Sequence, residues 1–171
     1  MSFKSSKGRS MVSYRYTIAC AVLFMGLPGA AGARNTEHLL PVSDAVSSEL
    51  GQAHLIGVPY FFKGQAGPPV AEQLLQLDTS QATRGAFRSD EESCNVAFLS
   101  ALRVLQDRAQ LEGGDAVIDI VSITRRKRTE SPTQFRCVAG AMVVHVGLRG
   151  MIVRLRAPED DQSTPAAPNS P

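Results

Sequence analysis

Hydrophobic positions recur every three or four residues in one stretch of the chain, and this predicts an amphipathic helix. The apolar residues that share the spacing are Cys94, Phe98, Ala101, Leu102, Leu105 and Ala109. On a helix they form one stripe. The polar residues assigned to the remaining surface are Arg103, Gln106, Asp107 and Gln110. The pattern therefore predicts a long helix that buries one face.

Local residue chemistry marks both ends of this helix. Ser89-Asp-Glu-Glu92 matches a capping box, in which the serine hydroxyl accepts from the third amide and Glu92 reaches back. Asp90, Glu91 and Glu92 also lie at the positive end of the helix dipole, so helix-start chemistry accounts for all three carboxylates. Gly113-Gly114 supplies the unrestricted backbone that a helix end commonly needs.

Runs of β-branched and aromatic residues predict the strands of a sheet. Ala116–Thr124 is almost continuously apolar, which predicts a central strand. Gln134–Val146 predicts a second long strand, and the alternating segment Met151–Arg156 predicts a last one. Earlier in the chain, His54–Phe62 predicts a strand that is followed by a loop over Lys63–Pro69.

Two further segments carry weaker patterns. Leu39–Val42 fits a short edge strand, because Pro41 cannot donate to a ladder. Val70–Arg88 fits either a short helix or an irregular strand. Because helix and strands are segregated along the chain, the sequence predicts an α+β fold. We expect one long amphipathic helix packed on a small, mostly antiparallel or mixed sheet, in a single domain over residues 34–156.

Residues 1–33 have the three parts of a secretory signal peptide. A basic start through Arg15 is followed by an apolar run over Thr17–Leu27 and by small residues over Gly29–Ala33. Cleavage is expected after Ala33. The apolar run is too short to span a bilayer, so no stable membrane anchor is expected after cleavage. Lipid attachment at Cys20 is disfavoured, because only three residues of the apolar run precede that cysteine.

The other end of the chain predicts a disordered tail. Residues 157–171 contain four prolines among acidic and small residues, and such a segment cannot pack a core. The distribution of charge also changes once the signal peptide is set aside. Four of the 18 basic residues lie within residues 1–33, and all 16 acidic residues follow them, so the remainder has a formal net charge of −2. That balance predicts no general attraction for nucleic acid.

Cys94 and Cys137 are the only cysteines after residue 33. An exported protein folds where thiols are oxidised, so the simplest expectation is that the two form a disulfide; two buried free thiols are the alternative. The bridge would join the first turn of the helix to the start of the second long strand. Its role would be structural.

The basic run Arg125-Arg126-Lys127-Arg128 is the one local charge feature, and it is predicted to lie on a loop between strands. Four like charges on such a loop could bind phosphate or carboxylate groups of lipopolysaccharide, of lipid headgroups or of an acidic partner. The alternative is a solvated loop that discourages edge pairing of the adjacent strands.

The sequence contains no recognisable catalytic or metal-binding motif. His38, His54 and His145 lack the spacing of a zinc site, and His145 is more typical of a hydrogen-bonded residue in a sheet. Gly-x-Ser-x-Gly, His-Glu-x-x-His and Cys-x-x-Cys are all missing. We therefore expect no cofactor. A catalytic site assembled from scattered residues is still compatible with the sequence.

Several short motifs resemble those of small uncharacterised periplasmic proteins of Gram-negative bacteria. The motifs are Ser89-Asp-Glu-Glu-Ser-Cys94, Phe98-Leu-Ser-Ala-Leu102, Leu105-Gln106, Arg108-Ala109, Glu112-Gly-Gly114 and Cys137-Val-Ala-Gly140. Proteins of this kind are often catalogued as excinuclease ATPase subunits. The sequence argues against that activity, because it has no Gly-x-x-x-x-Gly-Lys-Ser/Thr loop to hold phosphates, and an exported domain meets no ATP pool.

The order of helix, Gly-Gly turn and paired strands is more distantly similar to the Rcs stress-sensor lipoprotein and to the YbjQ-like family. The resemblance implies an envelope or oligomeric module, although this chain has fewer cysteines than the Rcs sensor. We therefore expect a periplasmic or secreted, non-catalytic binding module whose partner is an envelope protein or an anionic envelope component. The alternatives are a small-ligand or metal-binding YbjQ-like protein and a hydrolase with a scattered site.

Overall fold

The structure is a computed structural model that describes residues 34–85 and 88–157. The predicted signal peptide, residues 1–33, lies outside the described residues, as does the predicted tail from residue 158 onward. Within the described ranges, no helix combines the length and the apolar character needed to cross a membrane.

The described residues form an α+β fold, as predicted. In chain order the elements are β1 (Asn35–Pro41), α1 (Val42–Ser47), α2 (Glu49–His54), β2 (Tyr60–Phe62), β3 (Val70–Arg84), α3 (Asp90–Leu111), β4 (Ala116–Ser122), β5 (Gln134–Gly140) and β6 (Val143–Leu155). A single-turn 3₁₀ helix over Thr124–Arg126 interrupts the connection between β4 and β5.

All six strands belong to one mixed sheet, and β6 lies at its centre. Along one side, β6 pairs antiparallel with the whole length of β3. Along its other side, β6 pairs antiparallel first with β5 and then with β4. The sheet continues outward with β1 antiparallel to β5 and with β2 parallel to β4. Three of the described strands, β1, β2 and β3, therefore lie at edges of the sheet, and the position of β1 matches the prediction of an edge strand at Leu39–Val42.

Helix α3 covers one face of the sheet with the apolar stripe that the sequence defines. The Ser89 hydroxyl accepts from the Glu92 amide, and the Glu92 carboxylate accepts from the Ser89 amide, so the predicted capping box is present. All six residues of the stripe are fully buried. Beneath the helix, Gly150 of β6 leaves room for the side chain of Val117 on the neighbouring strand β4, because a Cβ at position 150 would lie 2.6 Å from Val117 Cγ1.

Three phenylalanines from different elements form the aromatic centre of the core. The ring of Phe98 in α3 stacks on that of Phe135 in β5, with ring centroids 4.1 Å apart. Phe62 of β2 lies 6.2 Å from Phe98 on the same measure. Each ring is almost completely buried, so helix and sheet share one continuous apolar interior.

Cys94 and Cys137 form the predicted disulfide, with a Cα–Cα distance of 5.8 Å. The bridge connects the first turns of α3 to the middle of β5, and both cysteines are fully buried. It closes a chain separation of 43 residues that contains most of α3, all of β4 and the basic loop. The disulfide therefore fixes the helix to the sheet at one end of the domain.

Several predicted boundaries are wrong, and local chemistry explains them. The strand expected over His54–Phe62 begins only at Tyr60, because α2 extends through His54 and the chain between them is bonded to α3 instead. The strand expected over Gln134–Val146 is broken by a turn after Gly140. Its second half joins the segment expected to be separate, Met151–Arg156, because Gly147 and Gly150 continue the strand.

The segment Val70–Arg88, for which helix and irregular strand were both open, forms the 15-residue strand β3 over most of its length. Its ladder with β6 is irregular between Val70 and Glu72 and between Gln73 and Leu75. Each irregularity shifts the side-chain alternation by one residue, which hides the period of two in the sequence.

Candidate functional site

The basic run lies on the connection between β4 and β5, where the chain makes a tight turn. Arg125 and Arg126 have φ angles of 52° and 62°, in the left-handed region that few residues other than glycine adopt. Such conformations cost on the order of 1–3 kcal/mol each and persist only where surrounding contacts impose them. The loop is therefore held in its shape by the residues around it.

Thr124 and Arg136 are the buried residues that impose this shape. The Thr124 hydroxyl donates to the Arg136 carbonyl and accepts from the Gly147 amide, each at 3.0 Å. The Arg136 guanidinium donates to the carbonyl oxygens of Thr124, at 3.0 Å, and of Lys127, at 3.4 Å. Across the base of the loop, Ser122 and Thr129 exchange two backbone hydrogen bonds. A buried guanidinium thus bonds two carbonyls of the loop from below.

Glu37 of β1 completes the support of the loop. Its carboxylate accepts from the buried Arg136 guanidinium and, at 3.3 Å, from Lys127 Nζ. Hydrogen bonds from Arg136 and then from Lys127 lower the pKa of Glu37 below its ordinary value. Glu37 therefore remains ionised and neutralises part of the charge beneath the loop.

The other flank of the loop borders a cavity of about 350 Å³ on the sheet face opposite α3. Three arginines line it, together with one carboxylate and one aliphatic side chain: Arg126, Arg128, Arg149, Asp78 and Ile123. Arg126 and Arg128 come from the loop, Arg149 from β6 and Asp78 from β3. Because several guanidinium groups face one space, the cavity can accept an anionic group with several charge-assisted hydrogen bonds.

Asp78 and Arg149 face each other across the β3–β6 ladder and form a bidentate ion pair, with N–O distances of 2.5 and 2.6 Å. Hydrogen bonding to Arg149 lowers the pKa of Asp78, and the same bond raises the pKa of Arg149. Both side chains are partly exposed. The pair fixes the position of the Arg149 fork at the wall of the cavity.

Positive charge predominates around the site. Its cations are Arg125, Arg126, Lys127, Arg128, Arg136 and Arg149, and its carboxylates are Glu37, Asp78 and Glu130. The local net charge is therefore +3, whereas residues 34–171 taken together have a formal net charge of −2. Arg125 and Arg126 form no ion pair within residues 34–85 and 88–157. These two guanidinium groups have no protein carboxylate to satisfy them there.

The structure brings together only part of the predicted basic run. Arg126 and Arg128 line the cavity, whereas Arg125 and Lys127 are not among its lining residues, and Lys127 turns toward Glu37. Sequence reasoning missed Arg149 and Asp78, since their closeness depends on the pairing of β3 with β6. It also missed Arg136, whose position in the apolar run Gln134–Gly140 was the available signal: a charge in a buried strand requires partners.

The other candidate residues do not assemble into a catalytic or metal site in the described part of the chain. No group of three or more His, Cys, Asp and Glu side chains is close enough there to hold a metal ion. His38 contacts Asp90 at 3.1 Å, so the first acidic residue of α3 binds β1 as well as marking the helix start. His145 lies half-buried in β6, opposite Val138 and Ala82.

A second cavity, also of about 350 Å³, lies where α2 meets the start of α3. Leu50, Val96 and Leu99 give it an apolar floor, and Glu49 and Arg88 are among the charged groups at its border. The Oδ1 atom of Asn95, which also lines it, is buried without a hydrogen-bond partner. Charges of both signs border this cavity, so it does not share the cationic character of the first.

Comparison with known proteins does not assign this geometry to a family: no family model matches the chain, and no curated protein or solved structure matches it significantly.

Proposed function

We propose that this chain is an exported, non-catalytic binding module that holds a phosphate-bearing component of the cell envelope at the cavity beside its basic loop. The observation that carries the proposal is the convergence of Arg126, Arg128 and Arg149 on one cavity. Lipid headgroups and lipopolysaccharide share the required chemistry, because both present phosphate groups in a surface.

The rigidity of the loop supports a binding role over that of a solvated loop. A basic loop that serves only for solubility needs no fixed conformation, yet this one has two residues in the left-handed region and a buried arginine bonded to its carbonyls. A fixed arrangement of guanidinium groups loses less side-chain entropy when an anion binds. Arg126, which lines the cavity and forms no ion pair with any described residue, can then contribute most of the attraction.

Export is supported by the disulfide. Disulfides persist in oxidising compartments and are rare in the cytosol. A fully buried bridge that joins helix to sheet is a structural one rather than a reactive pair. Together with the three-part pattern of residues 1–33, it favours a periplasmic or secreted location.

Anion binding is tested by replacing Arg125, Arg126, Lys127 and Arg128 with serine. We expect the affinity for vesicles containing anionic phospholipid, or for lipopolysaccharide, to fall by about two to three orders of magnitude, because each of the four basic residues near such a surface contributes about 1 kcal/mol. Sedimentation with vesicles measures the change. Vesicles made only of zwitterionic lipid should bind neither protein. Competition by inorganic phosphate distinguishes a site for the phosphate group itself from a site that needs a lipid surface.

The matched control removes four exposed arginines elsewhere: Arg88, Arg108, Arg154 and Arg156. It lowers the net charge by the same amount and leaves the loop intact. We expect it to retain most of the affinity. Equal losses in both variants, or no loss in the loop variant, would show that the cavity is not the binding site.

Export is tested by the mass of the protein recovered from fractionated bacterial cells that express the full chain. We expect the soluble periplasmic or secreted protein to begin at Arg34, with two cysteines that no thiol reagent labels until the protein is denatured and reduced. Recovery of Met1 on the folded protein, or labelling of Cys94 and Cys137 without reduction, would contradict the proposal. An Ala33→Arg change, which places a large residue at the predicted cleavage position, should block processing.

A further inference from the structure

The outer edge of β3 is the longest free backbone edge among the described strands. β3 spans Val70–Arg84 and pairs only with β6, so its second side has no strand partner within residues 34–85 and 88–157. An edge of this length presents a row of unsatisfied N–H and C=O groups, which natural proteins usually protect.

The hydrogen bonds of β6 establish which residues of β3 direct their backbone N–H and C=O groups toward the free edge. The Gly147 carbonyl accepts from the Ile123 amide, and the Gly147 amide donates to Thr124, so the Gly147 backbone points away from β3. Its partner on β3 is Ser80. In an antiparallel ladder, both backbone groups of Ser80 must then point to the free edge. Successive residues of a strand direct their backbone groups to opposite edges. The residues of β3 whose backbone groups face the free edge, here called the outward set, are therefore Gln76, Asp78, Ser80, Ala82 and Arg84.

The alternation is consistent at both ends of β3. The Arg156 amide donates to the Pro69 carbonyl, and the Gly85 amide donates to the Met142 carbonyl. Even-numbered residues at both ends of β6 therefore direct their backbone groups toward β3. This agrees with the odd-numbered Gly147, whose backbone groups point away from β3. Five N–H and five C=O groups lie along this edge between residues 76 and 84.

The usual protective features are confined to the first part of the strand. Both irregularities of the ladder fall before Leu75, whereas the register from Leu75 to Arg84 is uninterrupted. This regular part contains no proline and no lysine, and its only charges are Asp78 and Arg84. Asp78 is already paired with Arg149. The regular half of the edge is therefore suited to accept another strand.

We propose that β3 pairs antiparallel with β3 of a second copy of this chain, about a two-fold axis at Ser80. The outward set runs from Gln76 to Arg84 and is centred on Ser80, so this register uses all five outward residues of each copy. Ser80 then faces Ser80, Asp78 faces Ala82, and Gln76 faces Arg84. An isologous pairing of this kind closes after two copies and leaves neither β3 edge free.

Charge favours this register over the alternative in which the two-fold axis lies at Asp78. An axis at Asp78 would place the two Asp78 carboxylates directly opposite each other, which is destabilising. With the axis at Ser80, Arg84 of the partner subunit lies opposite Gln76 and diagonal to Asp78, at a separation that long side chains can reach. Asp78 also lines the basic cavity, so the second copy would add a cation beside each cavity. The pairing does not depend on the proposed anion binding.

Exposed apolar residues of α3 flank the same edge. Gln106 of α3 bonds the chain that leads to β2, on the opposite side of the sheet from β3. Val104 lies two residues away, about 200° around the helix, and so faces the β3 side. Its side chain is exposed, as is that of Leu111, which lies seven residues further along the helix, two turns away on the same face. A second copy at the β3 edge would bring its own α3 near these residues.

Disulfide trapping tests the pairing and its register. In the proposed register the two Ser80 residues form a hydrogen-bonded pair with Cα atoms about 5.5 Å apart, within the range of a disulfide. The full chain with Ser80→Cys should therefore oxidise to a covalent dimer. The control is Ala82→Cys, because two Ala82 residues would be offset by four positions, about 14 Å along the strands. Efficient cross-linking of both variants, or of neither, would overturn the proposed register.

The mass of the protein in solution tests the pairing without a cross-link. We expect light scattering to give twice the chain mass for the unmodified protein and about one chain mass for Ser80→Pro. Proline is tolerated at an edge position whose N–H faces outward, and it removes the central donor of the new ladder. Ala82→Asp should also give monomers, because it places a carboxylate opposite Asp78 of the partner subunit, whereas Gln110→Asp on α3 adds the same charge away from the edge and should not. A monomeric unmodified protein, or a dimeric Ser80→Pro protein with native circular dichroism, would refute the pairing.

Discussion

Replacing both Cys94 and Cys137 with alanine should destabilise the domain by about 4 kcal/mol, the value that the chain-entropy account gives for a loop of this size. The bridge closes 43 residues, which include most of α3, β4 and the basic loop. Without it, the unfolded chain gains the freedom that the closed loop denied it. For a domain of roughly 120 residues, we expect the melting temperature to fall by about 10–20 °C.

Thermal unfolding with and without a reducing agent checks the source of this loss. The reductant should lower the melting temperature of the unmodified protein toward that of the double variant, and it should leave the double variant unchanged. A single Cys94→Ala change should behave like the double variant under reducing conditions. If the double variant melts with the unmodified, oxidised protein, the bridge does not contribute to stability.

The helix and strand β4 could be predicted because their residues carry local information. Ser89 and Glu92 determine the start of α3 through contacts only three residues apart. The apolar stripe from Cys94 to Ala109 follows from helical periodicity alone. The disulfide needed one further premise, which was the oxidising compartment. Each of these features depends on neighbours in sequence or on composition.

Features that depend on pairing between distant strands could not be predicted. The alternation of β3 is shifted twice by irregularities that are visible only against β6. Gly140 and Gly147 both lie among apolar residues. The chain nevertheless turns after Gly140, where β5 ends, and continues straight through Gly147, which lies within β6. The difference is that Gly147 bonds Ile123 and Thr124 from another part of the chain.

The candidate site shows the same division. The basic run was visible as four consecutive cations, and that was enough to place it on a connection between strands. Arg149 lies on β6 and Asp78 on β3, 71 positions apart in sequence, so only the register of the ladder brings them to the cavity. Arg136 could have been singled out, because an arginine within a buried strand must have hydrogen-bond partners, and here they are the carbonyls of the loop.

Gln106 gives the second large expected effect and a correction of the helix prediction. Its polarity placed it on the exposed side of α3, yet its side chain is fully buried. Nε2 donates to the carbonyl oxygens of Ile56 and Val58, at 2.8 and 2.7 Å, and Oε1 accepts from the Ile56 amide at 3.1 Å. The side-chain amide of Gln106 thus replaces the backbone hydrogen bonds that a strand over residues 54–59 would have made.

We expect Gln106→Leu to lower the free energy of unfolding by about 2–4 kcal/mol. Leucine is close in volume, so the loss comes from three backbone groups left without partners, each of which costs about 1–3 kcal/mol when buried, reduced by local relaxation. Denaturant unfolding measures the change. Amide hydrogen exchange should show the Ile56 amide losing its protection. A loss below 1 kcal/mol would mean that the segment before β2 is solvated rather than held by α3.

Gln106→Glu separates the loss of donors from the loss of volume. The carboxylate can still accept from the Ile56 amide, but it faces the carbonyl oxygens of Ile56 and Val58 with no hydrogen to donate. Burial and these carbonyls should raise the pKa of the new carboxyl group, since protonation restores one donor. The variant should therefore be closest in stability to the unmodified protein below about pH 4 and should lose stability as the pH rises through the raised pKa. A deficit that is independent of pH would show that the two donated hydrogen bonds are not what holds the chain between α2 and β2.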